Sequence, residues 1–189
     1  MKNLFNLPNK KYNIIYADPP WRYGRQSKLN NGNTDGGSQS LDTKYPTMSK
    51  EEIKALPIKD ICLKDAACFL WVTDSHLNLG VEVLEAWGFT YKTVAFNWIK
   101  QTSNGKTACN IAPWTLKSWE LCLLGTKGAM TKYKKSNVVR GLSFCERVKH
   151  SQKPDLFRAK IYQLFGDLPR IELFARERFP GWDAWGNEI

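Results

Sequence analysis

The stretch Asn13-Ile14-Ile15-Tyr16-Ala17-Asp18-Pro19-Pro20-Trp21 places an apolar run directly before a carboxylate, two prolines and an indole. Short apolar runs bounded by turn residues are typical of buried strands, so this run predicts one. Each proline fixes φ and has no N–H to donate, which predicts a rigid turn with a free carbonyl. The sequence therefore predicts a strand that ends in a turn carrying an acid and a large aromatic ring.

The residue types of this turn suit the methylation of an exocyclic amine on a nucleobase. Such an amine is a poor nucleophile, because its lone pair is delocalised into the ring. The carboxylate of Asp18 and the carbonyl of Pro19 would accept its N–H protons, Pro20 would hold the turn rigid, and Trp21 would stack on the base. The same residues fit a structural turn, in which Asp18 caps the backbone and Trp21 fills the core. Both interpretations stay open at this point.

The rest of the chain alternates apolar runs with helical patterns, which favours an α/β fold with a largely parallel sheet and helices on both faces. Helices are expected after Ser49, after Thr73 and from Pro154, the second with Leu77, Val81 and Leu84 facing inward. Further strands are expected at 66–72, 91–99, 119–124, 170–175 and 182–185. Ligands of open α/β sheets bind beyond the carboxyl ends of the strands, where Asp18 and Arg176 are predicted to lie.

The composition fits one domain over residues 1–189 and a polyanionic partner. The chain has 28 Lys and Arg against 18 Asp and Glu, for a formal charge of +10, so nucleic acid is the expected partner. The five cysteines are scattered and there are only two histidines, which predicts neither a metal site nor a disulfide framework. We see no signal peptide and no membrane-spanning run, so we expect a soluble protein of the cytoplasm with no membrane partner.

Two segments are candidates for contact with that partner. Residues 22–46 contain hardly any apolar side chains and are expected to form a mobile loop on the substrate side, with plain disorder as the alternative. Residues 127–153 gather basic residues around aromatic ones, a mixture that suits a channel for a nucleic-acid strand. A solvated basic loop is the alternative for this segment. The candidate phosphate-binding residues are Lys132, Lys134, Lys135, Arg140 and Lys149.

Six short segments, in this order, resemble the MT-A70 family of S-adenosylmethionine-dependent adenine-N6 methyltransferases. The resemblance covers roughly residues 12–189, and several motifs in one order are far more specific than any of them alone. The matching segments are Ala17-Asp18-Pro19-Pro20-Trp21, Tyr45-Pro46-Thr47-Met48, the run 119–126, Ser151-Gln152-Lys153-Pro154-Asp155, the run 171–176 and Gly186-Asn187-Glu188.

The resemblance implies a single Rossmann-like methyltransferase domain in permuted order, with the catalytic motif early and the strand that usually opens the cofactor site last. It implies catalysis by Asp18, Pro19, Pro20 and Trp21. For S-adenosylmethionine it implies contacts from Asp18 and Lys153 to the methionine end and from Asn187 and Glu188 to the ribose, with Arg176 on the cofactor side. The usual glycine-rich cofactor loop is absent, and Phe174-Ala175-Arg176 stands in its place.

The function expected from the resemblance is methyl transfer to the N6 amine of adenine in DNA, on a base flipped out of the stack or on a single strand. The alternatives are an RNA adenine methyltransferase, a cytosine-N4 or protein-amide methyltransferase, and a non-catalytic nucleic-acid-binding subunit. Trp21 disfavours the second alternative and the intact motif disfavours the third. The bare domain resembles bacterial or phage members, which places the protein in a bacterial or phage-infected cell. A homo-oligomer is compatible with these observations.

Overall fold

A computed structural model describes residues 7–22, 47–112, 114–146 and 152–189, and these build one seven-stranded sheet with three α-helices. The helices are α1 (Lys50–Lys54), α2 (Leu77–Ala86) and α3 (Leu156–Phe165). The strands are β1 (Tyr12–Ala17), β2 (Cys62–Val72), β3 (Thr90–Gln101), β4 (Trp119–Lys127), β5 (Leu142–Glu146), β6 (Arg170–Leu173) and β7 (Asp183–Trp185).

The strands are arranged in the order β5-β3-β4-β2-β1-β6-β7. β1 is parallel to both of its neighbours, β2 and β6, and the β6–β7 and β3–β5 pairs are parallel as well. Only β4 runs against its neighbours among the described strands. The predicted α/β fold with a largely parallel sheet is confirmed, and the Asp18-Pro19-Pro20-Trp21 motif follows a strand in the interior of the sheet.

Each face of the sheet is covered by helix. On one face Ile15 and Leu70 pack with Ile53 of α1 and Leu84 of α2. On the other face a second cluster joins β1, β2 and β3 to α3, and its members include Ile14, Phe69, Phe96, Phe157 and Ile161. All six residues of β1 are buried, as expected for a strand between two layers.

The predicted inward face of α2 was wrong in part. The helix buries Gly80, Val83 and Leu84, whereas Leu77 is 37% exposed. A Cβ atom on Gly80 would lie 2.5 Å from Cγ1 of Val72. Because the helix approaches the sheet so closely, the smallest side chain must face the strand, and the apolar pattern could not reveal this.

Two further features were missed by the apolar patterns. Strand β5 lies inside the basic segment, and it forms one edge of the sheet beside β3. In α3 the buried residues include Arg158, whose guanidinium donates to both carboxylate oxygens of Glu172 at 2.7 and 2.8 Å. None of the described helices has the length and apolar composition needed to cross a membrane.

Candidate active site

Three neighbouring strands end together at the carboxyl edge of the sheet. Ala17 is in register with Leu70 of β2 and Leu173 of β6, and Leu173 is in register with Trp185 of β7. Neighbouring strands lie about 4.8 Å apart, so the chain positions after β1 and β7 are separated by roughly 10 Å. The residues that follow these strands can therefore contribute to one site.

The turn Asp18-Pro19-Pro20-Trp21 is held from two sides by main-chain hydrogen bonds. The Trp21 N–H donates to the Pro19 carbonyl at 2.8 Å, and the Met48 N–H donates to the Pro20 carbonyl at 2.8 Å. Arg22 in turn donates its N–H to the Met48 carbonyl at 3.0 Å. A carbonyl oxygen has two lone pairs, so the Pro19 carbonyl can still accept one more hydrogen bond. Both proline carbonyls of the turn therefore accept a main-chain hydrogen bond, and the rigidity of the turn stays a prediction.

The indole of Trp21 is buried rather than displayed. Its side chain belongs to the core with a residue exposure of 6%, and its Nε1 donates to the Trp71 carbonyl at 3.1 Å. One neighbour of the indole is the His76 imidazole, stacked with a centroid separation of 5.8 Å and an interplanar angle of 28°. The core-filling interpretation of Trp21 thus describes this structure, and base stacking by Trp21 stays a prediction.

A chain of alternating charges crosses the carboxyl edge of the sheet. Nζ of Lys153 donates to Oδ2 of Asp18 at 2.6 Å and lies 3.1 Å from Oε2 of Glu120. The other carboxylate oxygen of Glu120 accepts a hydrogen bond from Nζ of Lys100. The ammonium of Lys153 also lies 5.5 Å from the centroid of the Trp71 ring. The order of charges is therefore Asp18, Lys153, Glu120, Lys100.

Burial and the neighbouring charges set the proton affinities of this network. Desolvation opposes the charge of Lys153, whose side chain is 5% exposed, but Asp18 and Glu120 outweigh it and raise the lysine pKa. Desolvation likewise opposes ionisation of Glu120, and Lys153 and Lys100 outweigh it and lower its pKa to about 2. For Asp18, desolvation raises the pKa, Lys153 lowers it, Glu120 raises it and Arg176 lowers it, with a net rise. Asp18 therefore combines an ion pair with increased basicity.

The C-terminal motif packs on the end of β6. The Ala175 N–H donates to the Trp185 carbonyl at 3.0 Å, and a Cβ atom on Gly186 would meet the Ala175 carbonyl oxygen at 2.1 Å. Only glycine fits there, and Asn187 follows it directly. Phe174 has a φ of 61°, the left-handed region that a residue with a Cβ rarely occupies, at the end of the strand. Strained backbone of this kind is concentrated at functional sites.

Several residues predicted to hold the cofactor lie at this edge of the sheet. Arg176 and Glu188 lie on the same edge as Asp18, and Nε of Arg176 is 3.7 Å from Oε1 of Glu188. The positive charge of Arg176 is also close enough to Asp18 to lower its pKa, against the larger effect of desolvation. An ammonium has three N–H groups. The ammonium of Lys153 contacts two carboxylates, those of Asp18 and Glu120. A carboxylate such as Glu188 is a suitable acceptor for ribose hydroxyls.

The predicted phosphate-binding residues do not lie together at this edge. Lys127, at the end of β4, is in register with Ala66 at the opposite edge, and the segment that follows it carries Lys132, 2.5 Å from Asp65. Lys135 follows on the same side, where its N–H donates to the Leu164 carbonyl at the end of α3. The Lys132, Lys134 and Lys135 group therefore lies away from Asp18 and does not line its crevice.

The other residues predicted to contact nucleic acid differ in how the structure places them. The Arg140 carbonyl accepts a hydrogen bond from Lys160 of α3, so Arg140 lies beside the start of β5. Lys149 and residues 23–46 lie outside the described residues, as do Tyr45 and Pro46 of the second motif. Phosphate binding by the whole set stays a prediction.

Three residues near the Asp18 turn and its charge network were not singled out from the sequence. The structure identifies Glu120 by its ion pair with Lys153, and Lys100 by its ion pair with Glu120. In the sequence, only Glu120 carries a usable signal of a functional residue, since it is a lone acid inside the apolar run 119–124. His76 was noted only as one of two histidines, and its Nδ1 lies 3.0 Å from Oγ1 of Thr73. Among the described residues no group of three or more His, Cys, Asp or Glu side chains is arranged to hold a metal ion.

Comparison with known proteins gives a consistent result over nearly the whole chain. The MT-A70 family model matches residues 12–188. The chain is 36% identical over 192 residues to the Type II methyltransferase M.MunI from Mycoplasma sp, covering 97% of this chain and 80% of that protein. It is 27% identical over 202 residues to the human N(6)-adenine-specific methyltransferase METTL4, covering 100% of this chain and 39% of that protein. It is 28% identical over 192 residues to the zebrafish (Danio rerio) N(6)-adenosine-methyltransferase subunit METTL3, covering 95% of this chain and 28% of that protein.

Proposed function

The chain belongs to the MT-A70 family, and we propose on that basis that it transfers a methyl group from S-adenosylmethionine to the N6 amine of adenine in DNA. The observation that carries the proposal is the pairing of Asp18 with Lys153 at the carboxyl edge of the sheet. Ligands of open α/β sheets bind at this edge, and the pairing joins two of the family motifs in one place. The methyltransferase class follows from the family, and the substrate and cofactor are our proposal.

Asp18 and the Pro19 carbonyl are the proposed acceptors for the two N–H groups of the adenine amine. Accepting both would favour a pyramidal nitrogen with its lone pair free to attack. The amine loses one proton when it is methylated, and the raised pKa of Asp18 suits a carboxylate that receives it. The reaction needs no covalent enzyme intermediate, so the turn mainly orients the amine.

The cofactor, when bound, supplies the electrophilic methyl group. Lys153 would hold its carboxylate with an N–H not directed at Asp18 or Glu120. Asn187 and Glu188 would hold the ribose hydroxyls, and Arg176 would balance the charge of Glu188. The alternating network supports this arrangement, because a lysine fixed between two carboxylates presents its remaining N–H in a defined direction.

DNA is preferred over RNA because the chain is more similar to the Type II methyltransferase, at 36% identity, than to the adenosine-methyltransferase subunit, at 28% identity. The catalytic turn would serve either polymer, so RNA adenine is the second candidate substrate. In a duplex the adenine amine lies inside the base stack, and the base must be flipped out or offered on a single strand.

The decisive experiment offers DNA and RNA oligomers of mixed sequence to the purified protein with isotopically labelled S-adenosylmethionine. Digestion to nucleosides and mass spectrometry then identify the methylated base. We expect labelled N6-methyladenine from DNA, and at least about 100-fold less from the Asp18→Asn variant. Label in N4-methylcytosine, or label in RNA alone, would contradict the proposed substrate.

A further inference from the structure

A hairpin between β3 and β4 projects from the same edge as the catalytic turn. Asn110 and Lys117 exchange main-chain hydrogen bonds of 2.7 and 2.9 Å, and the Lys100 N–H donates to the Ser118 carbonyl at 2.7 Å. The Ala108 N–H donates to the Lys100 carbonyl at 2.8 Å. These bonds define the base of the hairpin, and we call the described residues between Asn110 and Lys117, which are 111, 112 and 114–116, the hairpin tip.

The hairpin tip exposes three large apolar side chains. Ile111 and Trp114 are each 94% exposed and Leu116 is 60% exposed. A single exposed apolar residue needs no explanation, since most protein surfaces contain some. Three of them close together on one short tip, including a fully displayed indole, are typical of an interaction site. The buried Trp21 cannot provide such a surface in this structure, whereas Trp114 can.

The base of the hairpin is connected to the candidate active site. Lys100 and Glu120 flank the hairpin on β3 and β4, and they form one end of the charge network that includes Asp18. Lys117 forms an ion pair with Asp74, in the short 3₁₀ helix that ends at His76. His76 in turn stacks on Trp21. A polymer whose adenine occupies the catalytic turn would therefore pass close to the hairpin.

The charge of the hairpin favours a polyanion as its occupant. Residues 102–118 contain no Asp or Glu, and Lys106 adds a positive charge besides that of Lys117, which is paired with Asp74, within a chain of formal charge +10. A second copy of the chain is a poorer fit, because it carries the same positive charge. Three apolar side chains on one short tip are also few for a stable protein–protein interface, which takes about 20–30 residues on each side.

We propose that the hairpin tip is a nucleic-acid contact in which Trp114 stacks on a base that flanks the target adenine. Every base has a π-face, so such stacking tolerates any sequence, and it suits a strand whose neighbouring base has been taken out of the stack. Ile111 and Leu116 cover the sides of the stacked base, and Lys106 lies near the sugar–phosphate backbone. This inference rests on the proposed function, since it needs a nucleic-acid substrate at the catalytic turn.

The test is a fluorescence-anisotropy titration of a fluorescein-labelled DNA oligomer, single-stranded and duplex, with wild type, Trp114→Ala and Trp114→Phe. Tyr162→Ala is the matched control, because Tyr162 is an exposed aromatic on α3, 52% accessible. Trp114→Ala should weaken binding to the single strand by about 5- to 150-fold, the equivalent of losing one stacked base. Trp114→Phe should weaken binding less, and Tyr162→Ala should not change it. Thermal unfolding of each variant verifies that the fold is intact.

The dependence on salt separates stacking from charge. Trp114→Ala should leave the log–log salt slope equal to that of the wild type, since stacking releases no counterions. Unchanged affinity in Trp114→Ala, from a wild type that binds DNA and methylates adenine, would overturn this inference and leave the proposed function standing. A wild type that neither binds nor methylates nucleic acid would overturn both. Sedimentation velocity tests whether the tip serves self-association instead. If the wild type is a dimer that Trp114→Ala dissociates while the affinity for DNA is unchanged, the tip is a self-association site and the inference is overturned.

Discussion

Nζ of Lys153 donates a hydrogen bond of 2.6 Å to Oδ2 of Asp18, although 135 positions separate the two residues in the chain. The bond joins the turn after β1 to the segment that leads into α3. Lys153 extends the connection to Glu120 of β4 at 3.1 Å. One ammonium therefore binds carboxylates that belong to two different strands or their ends. Its removal should lower both the stability of the fold and the affinity for the cofactor.

Replacement of Asp18 by asparagine should lower turnover by about 10²- to 10⁴-fold, the range for losing a positioned acid or base. The amide keeps the shape of the side chain but donates where the adenine amine needs an acceptor. Lys153 keeps its pairing with Glu120, so the protein should still fold. Single-turnover methylation and thermal unfolding measure the two effects, and a near wild-type rate in a folded variant would refute the role of Asp18.

Replacement of Lys153 by methionine should lower the free energy of unfolding by about 3–5 kcal/mol, because it leaves Asp18 and Glu120 without their shared cation. Urea unfolding measures this loss.

The affinity of the Lys153→Met variant for S-adenosylmethionine should fall by about 1–3 kcal/mol in calorimetric titration, and Asn187→Ala should weaken this affinity over the same range. Lys132→Met is the control, since its ion pair with Asp65 is exposed on the lysine side. It should affect stability far less and cofactor affinity not at all. Equal behaviour of the two lysine variants would show that the network is unimportant.

The stability of the protein should fall in acid partly through Glu120. Its pKa in the folded protein is about 2, against an ordinary value of 4.5. A carboxyl group whose pKa is lowered on folding stabilises the protein fully at pH values above its ordinary pKa. This stabilisation is lost as the pH falls through the pKa of the folded protein. The contribution should therefore disappear between about pH 4.5 and pH 2. Urea unfolding of wild type and Glu120→Gln across this range should give curves that converge as the pH falls. A constant difference between them would contradict the assignment.

Arg158→Met should destabilise the protein by about 3–5 kcal/mol, because it strands the carboxylate of Glu172 in the core beneath α3. The double variant Arg158→Met with Glu172→Leu removes both charges and should recover much of the loss. Chemical unfolding of the single and double variants makes the comparison. If the double variant is no more stable than the single one, the pair contributes through packing rather than through its charges.

Neutralising Lys134 and Lys135 should flatten the log–log salt slope of duplex DNA binding by about two units, at close to 0.9 per phosphate contact. Lys132→Ala alone should change the slope little, because its ammonium is already paired with Asp65. Methylation at saturating DNA should not change, since these lysines lie away from Asp18. Slopes equal to that of the wild type would identify this part of the basic segment as a solvated surface.

The arrangement of the elements was largely predictable from local patterns. The apolar run before Asp18 became β1, and the Ser49-Lys50-Glu51-Glu52 pattern became a capping box at the start of α1. Buried strands and helix starts are encoded by neighbouring residues, so a single stretch of chain reveals them. Strand β5 and the inward face of α2 were missed, because their character depends on what packs beside them.

By itself, the sequence determined the order of the helices and of the strands other than β5, the turn that follows β1 and membership of the MT-A70 family. Tertiary structure alone decided that Lys153 pairs with Asp18 and Glu120, that Trp21 is buried, and that the Lys132 group lies at the opposite edge from the site. The physical reason is that local propensity acts over a few residues, whereas ion pairing and burial depend on strand order and direction. β4 runs against β2, so its beginning reaches the candidate active site while its end carries the following lysines away from it.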